Sequence, residues 1–106
     1  SRFFIRRLKS GNLLLVKHAD GVTARSHLTA YLSRDDGKTW EGGLLLDERP
    51  NVSYPDGVQA DNGAIYIIHD RNRTKEKEIL MSVFTEDDIL KADPASSTVR
   101  LRVRVN

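Results

Sequence analysis

The most informative group of hydrogen-bonding side chains in this chain is Ser33-Arg34-Asp35-Asp36-Gly37-Lys38-Thr39-Trp40, the pattern S-x-D-x-G-x-T-W between two apolar β-type runs. Its chemistry is local bonding. Asp35 can bond the backbone of its own turn, Gly37 supplies a positive-φ position, and Ser33 and Thr39 add hydroxyls. Trp40 is then expected to drop a large apolar plug between neighbouring sheets. Other reactive types are sparse. There is no cysteine, which excludes disulfides and thiolate–metal chemistry. His18, His27 and His69 lack ligand spacing and read as strand-end or packing residues, so no metal and no cofactor is expected. Asp56-Gly57 is a common turn pair, and residues 71–77 read as a solvated hairpin tip in which Asn72-Arg73-Thr74 fits a glycosylation acceptor.

These side chains must be positioned by a small scaffold. The 106 residues make one domain at most, and 39% apolar with 30% charged residues is ordinary for a soluble globular protein. Seventeen basic against fifteen acidic residues give a formal charge of +2, with the arginines scattered through strand-like runs. That pattern is no nucleic-acid footprint, and no apolar run approaches membrane-spanning length. With a start at Ser1, without Met and directly on a strand-like run, the chain is expected to be an excised piece of a longer one.

Alternation and turn signals divide the chain into short runs of strand type, in two similar halves. The first half, residues 1–52, has runs at about 2–8, 12–18, 27–33 and 43–47. The second, residues 53–106, has them at about 54–60, 64–69, 78–84 and 99–105. Ser10-Gly11 and Asn62-Gly63 make the first turn of each half. One constant offset places Gly11 on Gly63, Leu13 on Ile65, Leu15 on Ile67, Val16 on Ile68 and Leu28 on Leu80, a weak internal repeat of propeller-blade length. The second half replaces the Ser33–Trp40 segment by Thr85-Glu86-Asp87-Asp88-Ile89-Leu90, whose Thr85 and Asp88 have capping-box spacing. A short helical turn is expected there, ended before Pro94. The last run, Thr98 to Val105, alternates strictly, so its valines and leucine should face the neighbouring sheet and its arginines water. Phe3, Phe4, Trp40 and Phe84 read as core.

Ser33–Trp40 resembles the Asp-box, or BNR repeat, of β-propeller proteins at every consensus position. The rest of the chain is similar to the sialidases that use a tyrosine nucleophile. Arg25, Leu28, Ala30, Tyr31 and Leu32 match that family's R-x-x-L-x-A-Y-L strand. Ser53-Tyr54-Pro55-Asp56 resembles its nucleophile segment, with Pro55 where serine is usual, and Ile68-His69-Asp70 takes the place of its L-Y-E, with Asp70 for glutamate. The resemblance implies an all-β fold in which these halves are two four-stranded antiparallel blades of a six-bladed sialidase-like β-propeller. The Asp-box (33–40) would lie in the first blade, away from the active site.

The implied activity is exo-cleavage of a terminal sialic acid or related acidic sugar. Because such a substrate carries a carboxylate on its anomeric carbon, a neutral tyrosine attacks without the repulsion an acidic nucleophile would meet. Tyr54 would be that nucleophile, Arg25 one of three arginines holding the substrate carboxylate, and Asp70 a support that fixes an arginine or the tyrosine. The acid/base aspartate, the activating glutamate and the other arginines would come from N-terminal blades, so these 106 residues alone should be inactive. The expected partners are a glycan or acidic sugar and those remaining blades, with no nucleic acid and no membrane. A glycan-binding or purely structural Asp-box propeller is the other reading, since fold does not guarantee activity.

Overall fold

The computed structural model describes residues 3–19, 26–50, 52–71 and 78–105, leaving aside the side chains of residues 53 and 54. Its strands are β1 (Phe3–Arg7), β2 (Leu13–His18), β3 (Leu28–Ser33), β4 (Glu41–Asp47), β5 (Val52–Gln59), β6 (Ile65–Arg71), β7 (Glu78–Phe84) and β8 (Arg100–Arg104), with one helix, α1 (Glu86–Lys91). They form two four-stranded sheets ordered β1-β2-β3-β4 and β5-β6-β7-β8, and every pairing is antiparallel. The molecule is therefore all-β, built as two up-and-down sheets of propeller-blade type.

Period-two alternation decides which faces meet. In the first sheet Leu14, Val16, Ala30, Leu32, Leu44 and Leu46 are fully buried, and they share one core with Val52, Ile65, Ile67 and Phe84 of the second. The residues between them in sequence point the other way. The two sheets stack in matching order, with β1 beside β5 and β4 beside β8.

Helix α1 forms where the acid-rich segment was expected. The Thr85 side chain accepts from the Asp88 backbone N–H, and the Asp88 carboxylate accepts from the Thr85 N–H in return. Ala92, in the left-handed region, ends it. The helix seats Ile89 in the shared core and lies against β4 at Gly42, where a Cβ would stand 2.2 Å from the Ile89 carbonyl oxygen. From the same helix, Glu86 accepts hydrogen bonds from Ser10 (3.0 Å) and Asn12 (2.7 Å) in the β1–β2 turn. Long-range packing thus fixes a helix too short to stand alone.

Three expectations about packing need correction. Phe3 is 56% exposed, because β1 turns it to the outer face of its sheet and leaves Phe4 to meet the core. Trp40 also lies off the inter-sheet core. Half-buried, it lines an open cavity of about 360 Å³ with Leu15, Lys17, Tyr31 and Gly42, on the face of the first sheet turned away from the second. The strict alternation of the last strand breaks at Arg102, whose φ of 56° accompanies a register shift between β7 and β8. Leu101 still packs on the core, but Val103 turns outward, and the Arg102 Nη1 donates to the Leu46 carbonyl at 3.2 Å.

Candidate functional site

Connections in an antiparallel meander alternate between two ends of a sheet, and here they divide by chemistry. At one end lie the Ser10–Gly11 and Asn62–Gly63 turns, the Ser33–Trp40 hairpin and α1. At the other end β2 stops at His18, β3 starts at Leu28, β4 stops at Asp47, β5 starts at Val52, β6 stops at Arg71 and β7 starts at Glu78. A 2.6 Å contact between His18 Nε2 and the Val52 carbonyl joins the two sheets there.

That second end holds a buried ion-pair network. Asp47 is fully buried at the end of β4. It accepts from Arg49 Nε and Nη2, both at 2.8 Å, and from the Arg49 backbone N–H at 3.1 Å. Across the inter-sheet gap, the buried His69 ring presents Nε2 to Asp47 Oδ2 at 3.0 Å. A carboxylate only accepts, so the His69 proton sits on Nε2. Burial pushes the Asp47 carboxyl up, but hydrogen bonds from Arg49 and His69 outweigh it and hold the group well below the usual carboxylate range. The bond to Asp47 raises Arg49 correspondingly.

Glu78 gathers the remaining charges. Arg71 Nη1 donates to its Oε1 at 3.0 Å, while Arg49 Nη1 stands 3.9 Å from the same oxygen and Arg104 Nη1 3.7 Å from Oε2. Four strands (β4, β6, β7 and β8) and the β4–β5 link are thereby knit around two acids. The Arg49 and Arg71 side chains stay partly open to solvent at the rim of this end. Three successive residues of β6 each keep a buried polar atom without a hydrogen-bond partner: His69 Nδ1, Asp70 Oδ1 and Arg71 Nε. The arrangement locks the sheets together and offers guanidinium groups to an anion at the edge. Among the described residues no group of three or more His, Asp or Glu side chains is placed to hold a metal ion.

The Ser33–Trp40 segment closes on itself as its residue types require. Ser33 Oγ donates to Asp35 Oδ1 at 2.9 Å and accepts from the Gly37 N–H at 2.8 Å. Asp35 accepts from both the Thr39 N–H, at 2.8 Å, and the Thr39 hydroxyl. These Thr39 bonds lower the Asp35 carboxyl to about 2. Gly37 takes a φ of 91°, and Arg34 forks onto Glu41 at 2.6 and 2.7 Å to close the hairpin.

Of the other residues singled out in the sequence, Asp70 is buried at the end of β6, opposite Ser53 and Ile79. Tyr54 falls in β5 within the register shift between Ser53 and Asp56, and its side chain lies outside the description. Arg25 lies outside the described residues altogether. Arg71, expected at a solvated tip, is instead the last residue of β6 and pairs with Glu78, while residues 72–77 are outside the description. Asp47, Arg49 and Glu78 were missed from the sequence. The available signal was charges directly abutting apolar runs: Asp47 and Arg49 after Leu44-Leu45-Leu46, and Glu78 before Ile79-Leu80.

A meander of two stacked sheets, with a hydrogen-bonded Asp turn at one end and charged strand termini at the other, defines a repeat-built β protein of the Asp-box class. The family model described as BNR repeat-like domain matches residues 3–67, from β1 into β6, and the chain belongs to that family. It is a sialidase-like Asp-box repeat protein. Comparison with curated proteins and with solved structures returned no match.

Proposed function

We propose that the two sheets are adjacent blades of a six-bladed propeller belonging to an exo-acting glycoside hydrolase for terminal sialic acid or a related acidic sugar. One observation carries this reading: the strand ends flanking Arg25 in sequence, the start of β5 that bears Tyr54, and the end of β6 that bears Asp70 all lie at one end of the sheets, opposite the Asp-box. In the proposed reaction the Tyr54 phenol, deprotonated by a base on another blade, bonds to the anomeric carbon as the glycosidic C–O bond breaks. The leaving oxygen takes a proton from an acid also supplied by another blade. Water then displaces the phenol with retention of configuration. Arg25 holds the substrate carboxylate, and Asp70 positions a cationic or phenolic neighbour.

The test is turnover of an α-sialoside reporter by the full-length protein. Tyr54→Phe is expected to abolish turnover while leaving the circular dichroism spectrum unchanged. Arg25→Ala should lower kcat/KM roughly ten- to a hundredfold, since losing a charge-assisted hydrogen bond costs about 1.5–3 kcal/mol. Equal rates for Tyr54→Phe and the parent would remove Tyr54 from the chemistry. The non-catalytic glycan-binding reading draws on a different observation: Asp47 and Glu78 are both committed to ion pairs at this end. Glycan binding without turnover of any acidic glycoside would favour it.

A further inference from the structure

The tip of the β5–β6 hairpin carries chemistry that neither the sheet core nor the strand-end network uses. Asn62 is followed by Gly63, whereas Asn12, Asn51 and Asn72 precede Leu13, Val52 and Arg73. An asparagine carboxamide and the next backbone nitrogen are held close enough to close a five-membered ring. Glycine leaves that nitrogen uncrowded, and a Cβ built at Gly63 would have nothing within 4 Å. Asp61 and Asn62 are both exposed, so water reaches the tip. The carboxamide is also oriented: Asn62 Oδ1 accepts from the Ala64 N–H at 3.1 Å, a donor placed to stabilise negative charge as it develops on that oxygen. The Gly63 N–H donates to the Ala60 carbonyl at 3.0 Å, so ring closure needs this one bond of an exposed turn to open. The matching turn of the first sheet has Ser10 before Gly11 and offers no carboxamide.

We propose that Asn62 is a site of spontaneous deamidation and main-chain isomerisation, and that the isomerised form loosens the tie between the two sheets at their Asp-box end. The Gly63 nitrogen bonds to Asn62 Cγ, the Cγ–Nδ2 bond breaks, and ammonia leaves with the proton that the nitrogen gives up. Water then opens the succinimide at one of its two carbonyls. Cleavage between Cγ and the Gly63 nitrogen gives aspartate, with the main chain unchanged. Cleavage at the backbone carbonyl gives isoaspartate, whose main chain runs through Cβ and Cγ and is one carbon longer. That carbon enters directly before Gly63, whose carbonyl accepts from Gln59 Nε2 at 3.2 Å. Gln59 Oε1 in turn accepts from the Lys9 N–H of the first sheet at 2.8 Å, beside the 2.6 Å pair of Lys9 Nζ with Asp61. Displacing the Gly63 carbonyl releases Gln59 and with it the hold on Lys9, while ordinary aspartate leaves both in place. The inference does not depend on the glycosidase reading.

Ageing the folded chain in mildly alkaline buffer, with peptide mapping by mass spectrometry at intervals, tests it. A capped peptide of residues 60–65 runs in parallel to show that the conditions suffice for the chemistry. The expected result is the mass gain of amide-to-acid exchange at Asn62 before any other asparagine, with part of the product accepted by a protein isoaspartate methyltransferase. Asn62→Ser, which copies the Ser10–Gly11 turn, should keep the parent circular dichroism spectrum and lose the early mass gain. The aged chain should melt below the fresh parent, while freshly prepared Asn62→Asp, with its ordinary main chain, should melt with the parent. An Asn62 still intact once the peptide is converted overturns the proposal. So does earlier modification of another asparagine, or an isoaspartyl form that melts as the fresh chain does.

Discussion

Asp35 and Asp47 are both held ionised, one by neighbours in its own turn and the other by groups brought from distant strands. Asp35 is lowered to about 2 by Thr39 donors four residues away. Asp47 is lowered against its own burial by Arg49 and His69. The sign of the consequence follows from proton counting. An unfolded aspartate protonates near about 3.9, so as the pH falls below that value the unfolded chain takes up protons that the folded chain refuses. The stabilisation from both groups is present in full above the ordinary carboxylate range and is lost as the pH falls through their folded values. Thermal melts from neutral pH down to about pH 2 should show stability dropping across that lower window, and an Asp35→Asn/Asp47→Asn double variant should flatten the curve. Asp47→Asn alone should cost about 3 kcal/mol in urea unfolding, since it leaves Arg49 and His69 around a broken buried pair. A loss under about 0.5 kcal/mol, the range of ordinary surface changes, would show that Asp47 does not clamp the sheets.

Elements here are decided by close approach as much as by propensity. Gly42, at a φ of 77°, lets α1 lie on β4, and a Cβ there meets Ile89 backbone that cannot swing aside. Gly42→Ala is expected to cost about 1–3 kcal/mol from the clash, over and above the positive-φ penalty. Gly63→Ala has nothing within 4 Å of the new Cβ and should carry only the φ penalty. Comparing their melting temperatures separates crowding from conformation, and equal losses would rule crowding out. Thr85→Ala should remove about 1 kcal/mol by undoing the capping box that starts α1. Capping residues and glycines are local signals, so the turns and the helix were legible in the sequence. The Arg102 bulge was not, because the Val/Arg alternation around it is unbroken and only the fit of β8 to β7 and to Leu46 selects it.

At the scale of the molecule, one core joins both sheets, and contacts such as Lys9 to Asp61 at 2.6 Å and Glu86 to Asn12 at 2.7 Å tie their Asp-box ends. The sheets should therefore unfold as a single cooperative unit. Fluorescence of Trp40, which reports on the first sheet alone, and far-ultraviolet circular dichroism, which reports on both, should give coincident denaturation curves. Two separated transitions would show that the inter-sheet contact does not couple them. The same core explains the position of Trp40. The inter-sheet space is filled by Leu, Val, Ile and Phe, which leaves Trp40 on the outer face beside Leu15 and Tyr31, where a further sheet would cover it.

The sequence alone determined the strands, their two groups of four, the short capped helix and the self-bonded Ser33–Trp40 turn. Each of these rests on alternation, turn residues or hydrogen-bonding partners a few positions apart. It also marked Asp70 and the start of β5 as places of interest. Only the tertiary structure decided that Asp47 meets His69, that Glu78 gathers Arg49, Arg71 and Arg104, and that the charged strand ends lie together opposite the Asp-box. These partners are far apart in the chain, and no local pattern states which sheet face or which end they will share. Stacking the two sheets settles it, because burying one face of each fixes at once which side chains meet and which remain for another surface.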